Sequence, residues 1–166
     1  MEISTISSFL DYYASIRART ERLIATVPPG QLDFTYQPGK FTIADQIRHI
    51  AGIERYMYAE TLAGRPSRYV GCGRELADGY EAILAFFRRA HEETIAIIRD
   101  IGDEGLSARC RTPAGTSIRR WKWMRAMVEH EVHHRAQIYL YLNMLDIRTP
   151  PMFGLTSEEL IARAGG

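Results

Sequence analysis

The sequence predicts an all-α protein folded as a four-helix bundle. Four long segments repeat apolar side chains at steps of three and four, the spacing of one helix face. Proline- and glycine-rich stretches separate them. No segment carries a strand pattern of weight, and there is no internal repeat or low-complexity tract.

The first helix is expected over about Thr5 to Val27, where Ile6, Phe9, Tyr13, Ile16, Thr20, Leu23 and Val27 share a face. "PPGQLDFTYQPGK" ends it, because its three prolines and two glycines favour an extended loop. The second helix is "FTIADQIRHIAGIERYMYAETLAG". Thr42 is placed to cap it and Asp45, three residues on, to complete a capping box, with Gly64 as its stop. "GRPSRYVGCG" crosses over to a third helix, expected over about Arg74 to Ile101, with Leu76, Tyr80, Ile83, Phe87, Thr94, Ile98 and Ile101 as its stripe. "GDEGLSARCRTPAGTS" is turn-rich and reads as a short hairpin or an irregular loop. The fourth helix runs from about Ile118 to Leu145, and a short terminal helix follows, capped by Thr156 or Ser157.

The length of 166 residues fits one domain over 1–166 and can bury a core without a disulfide or a stapling metal. A formal net charge of +1, with "RR" at 88–89 and 119–120 as the only arginine doublets, gives no electrostatic grip on nucleic acid. Cys72 and Cys110 lie far apart without a CxxC and read as free thiols in a reducing compartment. "MEISTISSFLDYY" lacks the basic flank and apolar run of a secretory signal, and no apolar run reaches the ~18 residues of a membrane span. A cytoplasmic protein without a membrane partner is expected.

Chemistry concentrates in "MVEHEVHHRAQIYLYL". It holds three of the five histidines. At about 100° per residue, Trp123, Met127, His130, Ile138, Tyr141 and Leu145 fall within roughly 40° of His134. His130 and His134 therefore lie in the apolar stripe at i, i+4, where both rings lean toward one point. His133 falls about 100° away. A lone histidine on an apolar face is usually a core residue satisfied by a hydrogen bond. Two on one stripe, a turn apart, point instead to a metal. "HEVHH" does match H-E-x-x-H, but a protease also needs a ligand downstream, and no histidine follows His134. The third ligand must come from another helix. His49 shares the inward face of Thr42, Ile53 and Tyr56, whereas His91 sits about 60° off its stripe. Three neutral imidazoles leave a coordination position open, the count of a catalytic zinc- or nickel-type site.

These residues carry a family resemblance. "HEVHHRAQIYLYL" resembles the HxxxHRxQ signature of the DinB/YfiT-like superfamily, and "GKFTIADQIRHIAGIERY" resembles its earlier motif, with Phe41 where that family often has tryptophan. Ala136 departs from the glycine common in that signature. The resemblance spans nearly the whole chain. It implies a long crossover between helices 2 and 3, a homodimer, and a divalent metal on His49, His130 and His134, with His133 in an outer or surface role. Relatives include thiol-dependent S-transferases and isomerases, so it also implies a metal-dependent hydrolase or a transferase using a low-molecular-weight thiol on a small-molecule substrate. The alternative is a non-catalytic stress-response or dimeric binding protein whose metal is structural or vestigial.

Candidate helpers are Tyr56 on the His49 face, Gln137 beside His134, and Glu131, about 60° from His134. Glu131 reads either as a partner for an imidazole N–H or as a surface ion pair with Arg135. Glu60 reads as a solvated helix end, and Trp121 and Trp123 as core or dimer anchors.

Overall fold

The N-terminal apolar stripe folds as expected into α1 (Ile6–Ile24). Thr5 caps it, its hydroxyl accepting the Ser8 N–H. The structure is a computed structural model and describes residues 3–165. A long loop with a 3-10 turn at Pro29–Gln31 leads to α2 (Ile43–Ile53). Here the capping box is formed: Thr42 takes the Asp45 N–H and Asp45 takes the Thr42 N–H. α2 does not end at Ile53. It passes through a π-helical stretch (Glu54–Ala59) into α3 (Glu60–Leu62), giving one rod with Gly64 just beyond.

α4 (Tyr80–Ile101) starts six residues later than the apolar pattern suggests. The buried Arg48 guanidinium draws on the carbonyls of Cys72 and Ala77, so Ala77 is held by a side chain rather than a helical N–H. Gly79 then sits at φ 83, a left-handed turn that only glycine enters without strain. Leu76, outside the helix, still packs on the core. The turn-rich segment is a hairpin, β1 (Arg109–Arg111) antiparallel to β2 (Ser117–Arg119) with Cys110 opposite Ile118. It takes Ile118 out of the following helix, so α5 covers Arg120–Met144. α6 (Ser157–Ala164) is capped by Thr156, with Glu159 closing a second capping box.

The core has two halves. Leu23 and Ile24 of α1, Ile43 and Ile47 of α2, Ile83 of α4 and Tyr141 of α5 meet in one. Phe9 and Tyr13 of α1, Leu62 of α3, Ile98 of α4 and Met124 of α5 meet in the other. Hence α1 and α5 run one way, and the α2–α3 rod and α4 run the other. Two consecutive parallel rods need a return across the bundle, which the crossover from 63 to 79 supplies. No helix among the described residues is long and apolar enough to cross a membrane.

Trp123 anchors α5 to α3: its indole N–H donates to the Thr61 hydroxyl at 2.8 Å and its ring lies 4.5 Å from that of Tyr58. Glu60 is not a solvated helix end. It is 2% exposed, and Arg55, Arg65 and Arg68 converge on it. Burial would raise its pKa, but hydrogen bonds from the three guanidiniums hold it at about 2.

Candidate metal centre

α2 packs against α5, and the one histidine of α2 meets two of α5 across that seam. One ring nitrogen from each of His49, His130 and His134 lies within 4.8 Å of the others. The ring centroids are 5.0 Å apart for His49–His130 and 4.5 Å for both His49–His134 and His130–His134. The Nε2 atoms of His49 and His130 approach to 3.1 Å.

Outer hydrogen bonds fix which nitrogen faces inward in two of the rings, His134 and His49. His134 Nδ1 lies 2.6 Å from Gln46 Oε1 and 2.8 Å from Gln137 Oε1. Both oxygens only accept, so Nδ1 carries the proton and Nε2 keeps its lone pair. His49 Nδ1 is held by the Tyr69 hydroxyl at 2.7 Å, which likewise leaves Nε2 for the seam. Such outer partners are what a histidine ligand requires for a fixed tautomer and ring orientation. Tyr69 also bonds the Cys72 thiol.

Tyr69 reaches His49 because residue 52 has no side chain. A Cβ on Gly52 would stand 3.2 Å from the Tyr69 ring. Tyr69→Phe should therefore weaken metal affinity by about 10–100-fold while leaving the fold intact, and Gly52→Ala should do the same by displacing the ring. Competition with a chromogenic chelator checks both. Unchanged affinity in Tyr69→Phe would mean that the hydroxyl does not orient His49.

The three rings are set up to be neutral. Burial, then the charge of His134, pushes His49 from 6.5 down to about 4. Burial, followed by the neighbouring histidines, pushes His130 down to about 3. Burial also lowers His134, against the opposing hydrogen bond of Gln137. Neutral imidazoles hold a cation, so the residues present fit a divalent ion.

These shifts also set a pH dependence for the metal-free protein. Below pH 6.5 the unfolded chain binds protons that the folded one refuses. Stability is then lost as pH falls from about 6.5 toward 4. Allowing for partial solvent exposure, the loss by pH 5 is roughly 2 kcal/mol, a Tm lower by about 4–8 °C than at pH 7. A flat Tm across that window would show that the rings titrate normally.

The other residues singled out in the sequence fall as follows. Gln137 does meet His134, and its Nε2 lies 3.0 Å from Nε2 of the exposed His133, so His133 stays outside the cluster. Tyr56 does not approach the histidines. It stacks on Phe86 of α4, and its carbonyl accepts the Arg68 N–H. Glu131 neither supports an imidazole nor pairs with Arg135 at the surface. It is 1% exposed and turned to α1, accepting the Thr20 hydroxyl at 2.6 Å and lying 3.0 Å from Arg17. His91 is no ligand either; its Nδ1 lies 2.7 Å from Oε1 of Glu54. Sequence reasoning missed Gln46 and Tyr69. Gln46 stands one turn before His49 on the same helix, a signal that could have found it. Tyr69 sits in the crossover, where no periodicity points.

Beside His134 opens a cleft of about 590 Å³, walled by Tyr36, Phe41, Leu140, Tyr141 and Met144. Lys40, Gln46 and Gln137 also line it, and among the described residues no acidic one does.

The family model of the DinB superfamily matches residues 12–138. The chain belongs to the DinB superfamily. Solved DinB-type folds agree with the bundle. A DinB-like protein from Bacillus cereus ATCC 10987 superposes with a TM-score of 0.76 at 15% identity, over 89% of this chain and 97% of that one. YfiT from Bacillus subtilis, called a probable metal-dependent hydrolase with an unusual four-helix bundle topology, gives 0.67 at 18%, over 86% and 89%. A mycothiol-dependent maleylpyruvate isomerase gives 0.62 at 12%, over 82% and 63%. A search of functionally curated proteins finds no match.

Proposed function

We propose that this DinB-superfamily protein is a metal-dependent, thiol-using transferase, with a divalent ion, zinc or nickel, on His49, His130 and His134. The observation that carries the reading is the convergence of three neutral imidazoles, one of which, His134, lines an open cleft, with the outward nitrogens of His49 and His134 already engaged. When bound, such an ion supplies a Lewis acid that lowers the pKa of a coordinated thiol or water.

The chain's own residues favour the thiol over water. Activating water for hydrolysis calls for a positioned base, and the carboxylate beside the cluster in sequence, Glu131, is committed to Thr20 and Arg17. Among the described residues no acid lines the cleft. A thiol, with an ordinary pKa near ~8.5, needs less help to ionise. Gln46 and Gln137 hold His134 in its tautomer, Tyr69 holds His49, and the aromatic wall of Tyr36 and Phe41 sheds water from the open side. The relatives that carry the words mycothiol-dependent isomerase and metal-dependent hydrolase support the two chemistries in turn.

The test is elemental analysis of untagged protein, then a screen of the holoprotein against small thiols paired with electrophiles. Turnover that needs both metal and thiol is expected. Ester cleavage without thiol would replace the transferase by a hydrolase. Stoichiometric metal that raises Tm with no turnover of either kind would leave a binding protein braced by its ion.

A further inference from the structure

The cleft beside His134 is chemically lopsided. Among the described residues, four of the nine large hydrophobics that stand exposed, Tyr36, Phe41, Leu140 and Met144, rim this one cavity. Water-exposed aromatics gathered at a concave site mark a place where apolar surface is meant to be covered. Against them stands one formal charge, Lys40, whose ammonium has no ion-pair partner among the described residues.

Gln46 adds a second polar group. Its side chain is 3% exposed and lines the same cleft. Its Oε1 is spent on His134 at 2.6 Å, which turns the amide nitrogen the other way. That nitrogen makes no hydrogen bond within the described residues. The nitrogen is not sealed in the core but opens on the cleft, which leaves it as a donor for a molecule bound there. Lysine and amide together offer N–H donors and a positive charge, and the cleft offers no acid to neutralise them.

We propose that this cleft is the acceptor-substrate pocket and takes an apolar or aromatic molecule bearing a single carboxylate. The apolar body lies on Tyr36, Phe41, Leu140 and Met144, and the carboxylate is held by Lys40 and the Gln46 amide. This rests on the catalytic reading of the neighbouring histidines for its role, but not for the binding itself, since neither Lys40 nor Gln46 is a metal ligand.

The experiment compares 4-phenylbutyrate with its neutral amide by titration calorimetry on the zinc-loaded full chain, and again after chelation. The two share size and apolar body and differ in charge. The carboxylate should bind about five- to tenfold tighter, with or without metal. Lys40→Met should bring the ratio in the metal-free chain to within about twofold while the amide binds as before. Leu140→Asp, at an exposed position that does not threaten folding, should weaken both ligands. Equal affinity for the two in the wild type, or a carboxylate preference that survives Lys40→Met, overturns the proposal. So does a concentration-dependent dimer that excludes both ligands, because the rim would then be covered by a second copy. If the metal-free chain discriminates as stated but no ion binds, the pocket stands and the metal-dependent reading fails.

Discussion

His130→Ala is expected to abolish stoichiometric zinc or nickel binding, and His49→Ala and His134→Ala to do the same. Each removes one of three nitrogens that meet within 4.8 Å, so the loss should exceed the roughly 10–100-fold expected for an outer hydrogen-bond partner such as Tyr69. His130 is the sharpest case. Its ring lies against both other rings, and its pKa is pushed lowest, to about 3. The same burial predicts that the His130→Ala chain still folds. It no longer has to refuse a proton there, so its metal-free Tm should fall less between pH 7 and 5 than that of the wild type. His133→Ala and His91→Ala are the controls. The first removes an exposed ring that lies edge-on to His134 at 5.0 Å but brings no nitrogen to the cluster, and the second a ring bonded to Glu54, so both should keep the ion. Dialysis against the metal followed by elemental analysis reads all five. Loss of the ion in His133→Ala with retention in His134→Ala would show that the helix face has been misassigned.

That assignment was legible because it depends on local geometry alone. The i, i+4 spacing of His130 and His134 fixes their common face whatever surrounds α5, and the Thr42–Asp45 box fixes where α2 begins and hence where His49 points. What stayed hidden depends on partners distant in the chain. Glu131 looks like a surface residue because a charge on a helix usually is one; only Arg17 and Thr20, more than a hundred residues away, make its burial tolerable. The same holds for Glu54 and Glu60, whose acidic letters interrupt an apolar stripe that is in fact buried throughout. The late start of α4 follows from Arg48 capturing the Ala77 carbonyl, a contact across 29 positions that no local propensity encodes. The hairpin has three residues per strand, too few for a period to emerge. Tyr69 was invisible for a related reason: a loop residue acquires its role only from where the crossover lays it, here over the bare backbone of Gly52.

Arg17→Met should be the most destabilising single change in the bundle. Arg17 is 4% exposed, Glu54 2% and Glu131 1%, and the guanidinium stands between the two carboxylates. Its Nη2 donates to Glu54 and to the Tyr13 hydroxyl, while Glu131 Oε2, at 3.0 Å but off the donor direction, is held by charge rather than by a hydrogen bond. The guanidinium carbon also lies 4.2 Å from the centre of the Phe87 ring. Burial alone would raise Glu54, yet Arg17 first and His91 second hold it below its ordinary value. Methionine fills a similar volume but leaves two carboxylates facing an apolar interior with only the neutral Thr20 and Tyr13 hydroxyls and His91 as partners. Breaking a buried pair from one side costs about 3–5 kcal/mol, against a total stability of about 5–15 kcal/mol for a domain. For a chain of this size that is a Tm lower by about 6–20 °C. The sign of the pH dependence separates this cause from lost packing. Without Arg17, burial is left to raise the Glu54 carboxyl above its unfolded value, so the zinc-loaded variant should regain stability as pH falls toward 5. Arg17→Met combined with Glu54→Gln and Glu131→Gln removes the stranded charges and should recover most of the loss at neutral pH. A single variant melting within 2–3 °C of wild type, or a triple variant no better than the single, would mean that α1 is held to the α2–α3 rod and α5 by its apolar stripe and not by this guanidinium (on the scale of about 2–4 °C per kcal/mol).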